Sequence, residues 1–133
     1  MRLRHVTVDG VRNLERVDIE PHARLTIFVG ENGQGKTNLL EAIHLAAALR
    51  PLRALERASD LVAFGKDRGV IKADFDVDGP LDIEVVVEAK GRRATIAGKS
   101  VRDVGEVASR IGVISFLPDD AAMIRGGPEL RRR

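Results

Sequence analysis

The residues whose types and spacing could do chemistry are Gly30-Glu31-Asn32-Gly33-Gln34-Gly35-Lys36-Thr37, which fit G-x-x-x-x-G-K-[ST] at every fixed position. Glycines let a backbone curl until successive N–H groups point inward at phosphate oxygens. A helix opening at Lys36 would add its own unsatisfied N–H groups and positive end to the same anion. Lys36 then reaches the β- and γ-phosphates of a nucleoside triphosphate as a point charge, and Thr37 gives its hydroxyl to a magnesium ion. Asn38, next in the chain, is counted with the loop. The blander reading, a glycine-rich turn that happens to precede a helix, has to supply the full motif and both flanks by chance.

Such a loop needs a buried strand before it and an amphipathic helix after it. Leu25-Thr26-Ile27-Phe28-Val29 is a short apolar run of the kind that predicts a strand covered on both faces, as in the centre of an α/β sheet. From Lys36 to about Leu49 the spacing of Leu39, Leu40, Ile43, Ala46 and Ala47 predicts a helix, and Pro51 stops it. Upstream, Leu3 to Asp9 alternates as a strand running to a turn at Asp9-Gly10, and Leu14, Val17 and Ile19 suggest a second strand ended by Pro21.

An arginine-rich connection, Arg50 to Ser59, leads to a different pattern. Val70 to Val77, Leu81 to Glu88 and Arg93 to Ile96 alternate apolar with charged residues between glycine-containing turns, which predicts an antiparallel meander with one wet face. A short helix over Val104 to Ser109 and an apolar strand over Val113 to Leu117 follow. Pro118-Asp119-Asp120 could open a further helix, broken by Gly126-Gly127-Pro128. The fold class expected is α/β, a P-loop NTPase lobe with a mixed sheet carrying the loop strand and an antiparallel β subdomain packed against it.

Composition bounds the function. The 133 residues suit one domain with a real core, and 44% apolar with 32% charged residues is a globular composition. No stretch approaches a membrane span, the N-terminus lacks the apolar segment of a signal peptide, and the cytoplasm is the expected compartment. Without cysteine there is no disulfide framework or thiolate metal site. A net charge of +2 argues against a pronounced basic patch, and the absence of Trp and Tyr argues against a stacking platform for single-stranded bases.

Other candidates have plain readings beside the sharp ones. Gly98-Lys99-Ser100 imitates the end of a phosphate loop, but Arg93 stands where the first glycine belongs, so a hairpin turn is expected. Glu41 and His44, three apart on one helix, could be half of a metal site. No second pair supports them, and a solvated helix face is the expectation. Arg92-Arg93 reads as a wet hairpin edge. Val85-Val86-Val87-Glu88 and the run from Ile111 to Leu117 could each pass for a Walker B strand. The first reads as a meander strand, and the second has proline between strand and acid.

The loop is more specific than a generic Walker A. Asn32 and the continuation Lys36-Thr37-Asn38-Leu39-Leu40-Glu41-Ala42-Ile43 resemble the RecF branch of the SMC and ABC-type ATPases. Val11-Arg12-Asn13-Leu14 resembles that family's "FRN" segment. Arg50 and Arg53 fall where it carries an arginine-containing loop. Pro118-Asp119 and Gly126-Gly127-Pro128-Glu129-Leu130-Arg131-Arg132 resemble its signature, with the run before Pro118 as the lid segment. Gly10-Val11 departs from the usual Asn-Phe, and Leu49-Arg50-Pro51-Leu52 lacks the usual Gly and Ser.

The resemblance implies ATP and Mg2+ as cofactors, with Arg12, Asn13 and Arg50 as further nucleotide contacts and Asp119 as a further metal contact. It implies an ATP-dependent homodimer that engages double-stranded or gapped DNA and, with RecR and RecO, aids loading of RecA. It places Walker B and the ABC signature beyond residue 133, so the chain reads as the N-terminal part of a longer protein, with weak or no ATPase alone. The alternatives are another SMC-like ATPase, such as the overcoming-lysis-defect type, or a catalytically incomplete nucleotide-binding fragment.

Overall fold

In the computed structural model, which describes residues 1–53 and 57–117, six strands make one sheet. β1 (Arg2–Val11) and β2 (Leu14–Ile19) form a hairpin with Val8 opposite Val17 and Val11 opposite Leu14. The chain then leaves the sheet, passes through the glycine-rich loop, forms α1 (Lys36–Ala48) and returns as β3 (Arg68–Asp76) on the other side of β1. β4 (Pro80–Glu88), β5 (Gly91–Ile96) and the two-residue β6 (Lys99–Ser100) continue as hairpins. The order is β2-β1-β3-β4-β5-β6, and every pairing is antiparallel.

Period-two alternation puts one apolar face toward α1. Val6 and Val8 of β1 stand opposite Ala73 and Ile71 of β3, which in turn face Ile83 and Val85 of β4. All six are buried, and Leu39, Ala42, Leu45 and Ala46 of α1 belong to the same core. The opposite face carries charge: Lys72 pairs with Glu84 at 3.2 Å, and His5 lies between Asp18 (2.6 Å) and Asp74 (3.4 Å). These carboxylates, first through the Asp18 hydrogen bond, hold the His5 imidazole above its ordinary pKa. A short α2 (Val104–Ala108), capped by the Asp103 carboxylate on the Gly105 N–H, buries Val107 against the core.

Several expectations are corrected. The first strand does not turn at Asp9-Gly10. It runs two residues further, and the hairpin closes at Arg12-Asn13, where Arg12 takes a left-handed φ of 55°. The meander is not a separate subdomain packed against a mixed sheet, because β3 pairs directly with β1.

Residues 25–29 have no ladder, and Leu25, Ile27 and Val29 are exposed while Phe28 leans on the core. A strand of the parallel type needs neighbours brought by crossovers, and none of the described residues supplies them. Residues 113–117 likewise do not form the expected strand, and Ile114 and Phe116 are exposed. On α1 the buried face is rotated from the one expected: Leu40 points outward and Glu41 inward. The turn at Ala97-Gly98 between β5 and β6 is the expected hairpin, with positive φ at both residues. Pro118, Asp119 and the stretch from Gly126 to Arg132 lie outside the described residues.

Candidate phosphate-binding site

The loop begins where residues 25–29 end and closes on the first turn of α1. Glu31 to Gln34 is a turn joined by the Gln34 N–H to the Glu31 carbonyl at 3.4 Å. Gly33, at φ 87°, occupies the position where such a turn needs a positive φ. The Gln34 side chain folds back, its Oε1 accepting from the Glu31 N–H at 3.0 Å. Gly35 is the N-cap of α1 at φ 92°, and its carbonyl accepts the first helical bond from Leu39 at 2.8 Å. No side chain caps this end, and the first turn holds no acid. The helix N-terminus therefore offers N–H donors and a positive dipole end to an anion.

Lys36 supplies the mobile charge. Its Nζ donates to the Gly30 carbonyl at 2.7 Å and the Glu31 carbonyl at 2.6 Å, folding the ammonium over the mouth of the loop. Thr37 sits beside it with an exposed side chain. Gly30 to Asn38 thus form one continuous curl of donors with a single cation.

The β1–β2 turn lies across this curl. The Asn13 Nδ2 donates to the Gly33 carbonyl at 2.8 Å, while the Asn13 Oδ1 accepts from the Asn38 Nδ2 at 2.7 Å. A Cβ on Gly35 would come 2.9 Å from the Asn13 Oδ1 and 2.7 Å from the Leu14 Cδ2, so only glycine lets the loop pass this close.

Arg12, next to Asn13, turns the other way and meets Glu41 on α1, Nη2 to Oε2 at 3.4 Å. Arg53 approaches the second oxygen of Glu41 at 3.3 Å. Glu41 is 6% exposed, so the solvated helix face expected for it is wrong. Two arginines from distant parts of the chain neutralise a carboxylate that α1 carries inward. The contacts are ion pairs rather than hydrogen bonds: the Arg12 Nε and both Glu41 oxygens are buried without a hydrogen-bond partner. They border a cavity of about 10 Å3, room for one water.

Of the residues read from the sequence, the structure gathers Gly30 through Asn38 with Asn13. Arg12 stands one residue away, engaged by Glu41. Arg50 is exposed just past the C-cap of α1, about 20 Å of helix from Lys36. His44 bonds Ser115 at 2.8 Å, and burial pushes its imidazole below the ordinary value. Among the described residues no group of three His, Cys, Asp or Glu could hold a metal ion. None of their helices is long and apolar enough to cross a membrane.

A family model for an AAA domain matches residues 5–109. The chain is 42% identical, over its whole length, to the DNA replication and repair protein RecF of Anaeromyxobacter sp. (strain K), of which it covers 37%. It is likewise 42% identical to RecF of Myxococcus xanthus, with 99% of this chain and 35% of that protein aligned. The chain therefore spans little more than a third of the curated relatives it matches.

Among solved structures, the recombination mediator protein RecF-ATP of the RecFOR pathway superposes with a TM-score of 0.83 at 29% identity, covering 98% of this chain and 36% of that one. A structure from work on ATP-driven dimerization of SMC ATPases gives 0.82 at 21% identity, covering 99% and 96% respectively, a likeness of fold. The RecF resemblance read from the loop and its flanks extends across the chain. The fold class is that of P-loop α/β heads of the RecF and SMC kind, although the sheet described here is antiparallel throughout.

Proposed function

The chain belongs to the AAA domain family, and from that premise we propose that it is the ATP-binding part of a RecF-type DNA replication and repair protein. The observation that carries this reading is the loop itself. A complete G-x-x-x-x-G-K-[ST] segment is curled onto the N-terminus of α1, with the Lys36 ammonium held on two loop carbonyls. The RecF-ATP relative supports ATP as the nucleotide.

The residues fit a triphosphate. Backbone N–H groups from Gly33 to Asn38 would cradle the phosphates, and Lys36 would exchange its carbonyl partners for phosphate oxygens. Thr37 would offer its hydroxyl to Mg2+, with Asp119 as a further candidate. The bound metal supplies charge neutralisation; the chain supplies position and donors. Arg12 and Arg50 remain candidates for the nucleotide or its partner surface.

For the whole protein we propose what the resemblance implies. Two copies pair on ATP and engage double-stranded DNA near gaps, acting with RecR and RecO to load RecA. By itself the chain is expected to bind ATP with little or no turnover. Steady-state multiple turnover abolished by Lys36→Ala would overturn that expectation.

Isothermal titration with Mg-ATP, comparing this chain with its Lys36→Ala variant, tests the site. Loss of one charge-assisted contact is expected to weaken binding about 10- to 100-fold. Equal affinities in both proteins would remove the phosphate-site reading.

A further inference from the structure

We propose that Asn13 is a positioning residue that sets the phosphate loop for its ligand from outside, by fixing one peptide, and that Asn38 sets Asn13. The inference rests on the phosphate-site reading above and goes further, because it assigns Asn13 a role other than touching nucleotide.

The geometry follows from peptide planarity. No peptide bond among the described residues is cis, so the carbonyl of Gly33 and the N–H of Gln34, which share one peptide plane, point in opposite directions. Asn13 pins that carbonyl outward at 2.8 Å. The Gln34 N–H therefore points to the other side, where it reaches the Glu31 carbonyl at only 3.4 Å. A bond at that length is weak, and the donor is available to an anion lying in the curl. Gly33, with no Cβ, gives the peptide freedom to rotate, and nothing lies within 4 Å of where a Cβ would be. Without an outside contact its orientation would be set only by that weak turn bond.

Asn13 is itself held from two directions. Its Oδ1 accepts from the Asn38 Nδ2 at 2.7 Å, which fixes which end of the amide faces Gly33. Its backbone belongs to a turn tied down by the Arg12 N–H to the Leu61 carbonyl at 2.9 Å and by the Arg12–Glu41 ion pair. The turn belongs to the continuous ladder of β1 and β2, whereas the loop has no ladder of its own, so the turn acts as a bracket from one to the other.

Asn13 is exposed, so truncating it should leave the fold intact. The test titrates this chain and the variants Asn13→Ala, Asn13→Asp, Asn38→Ala and the double alanine with Mg-ATP and with inorganic pyrophosphate. Each is measured below the variant's own Tm. Asn13→Asp keeps the side-chain shape and the bond from Asn38 but loses the donor.

Each single change at Asn13 is expected to weaken both ligands by the same factor, about tenfold. Asn38→Ala should weaken them less, and the double variant should match Asn13→Ala, since Asn38 acts through Asn13. Loss for Mg-ATP with unchanged pyrophosphate affinity would mean that Asn13 touches the nucleoside, and would overturn the proposal. So would unchanged affinity for both, or additive effects of the two alanines. If the unmodified chain binds neither ligand, the phosphate-site reading fails and this inference falls with it. If the chain binds, and Lys36→Ala alone destroys binding, only the bracket fails.

Discussion

The inner face of the antiparallel sheet and the segment leading into the phosphate loop are both apolar and have opposite fates. Val6, Val8 and Ile71 are completely buried, whereas Leu25, Ile27 and Val29 are each more than two-thirds exposed. Hydrophobicity does not distinguish them; access to a partner does. Each strand from β4 onward pairs with the one before it through a short turn, β1 pairs with β2 in the same way, and β3 returns to the free edge of β1 after the loop and α1. A strand of the parallel type waits for a neighbour delivered from far along a chain. The loop nevertheless has a defined shape, because it is held from its other end by α1 and from the side by the β1–β2 turn.

The largest expected effect sets one region directly against the other. Ile71→Asp places a carboxylate between Val8 and Val85 and should cost about 4 kcal/mol or more, a large share of the stability of a domain this size. Ile27→Asp should change stability by less than about 0.5 kcal/mol. Thermal melts followed by circular dichroism measure both, and similar losses would erase the distinction.

Glu41→Ala comes next, because it strands Arg12 against the core. A cost of about 2 kcal/mol in urea denaturation is expected, below the roughly 3–5 kcal/mol of a fully buried pair since Arg53 is half exposed. Glu41→Gln, which keeps the shape, should cost less.

The smallest effect belongs to the wet face of the sheet. Asp18 and Asp74 raise the pKa of His5 in the folded chain, so its contribution is fully present below the unfolded value, about 6.5. That contribution fades as pH rises through the higher folded value. Tm should therefore fall slightly from mildly acidic to mildly alkaline pH, and His5→Gln should flatten that part of the profile. An unchanged slope would mean the two carboxylates do not act on the ring.

How much of this was legible in the sequence depended on whether the partner was local. The loop motif, the helix from Lys36 and the alternating strands of the meander were readable because each signal lies within a dozen residues. The burial of Glu41 was not: one counter-charge, Arg12, comes from another element far back in the chain and the other, Arg53, from beyond the end of the helix, so a carboxylate beside His44 looked solvated. The run from Leu25 to Val29 had the composition of a buried strand, but composition does not supply the ladder. The hairpin end moved from Asp9-Gly10 to Arg12-Asn13 because Gly10 tolerates its φ of 64° inside the ladder. The family resemblance marked Asn13 for the nucleotide; its bonds to the Gly33 carbonyl and the Asn38 amide carried no signal in the sequence.

Hydrogen exchange, read segment by segment with and without Mg-ATP, tests the central claim most directly. In the free chain, β1, β3 and β4 should exchange slowly and residues 25–29 quickly. Adding Mg-ATP should protect residues 30–38 and the turn at 12–13 while 25–29 stay fast. Slow exchange over 25–29 in the free chain, or no protection over 30–38 with nucleotide, would contradict a phosphate loop held in place by the antiparallel sheet.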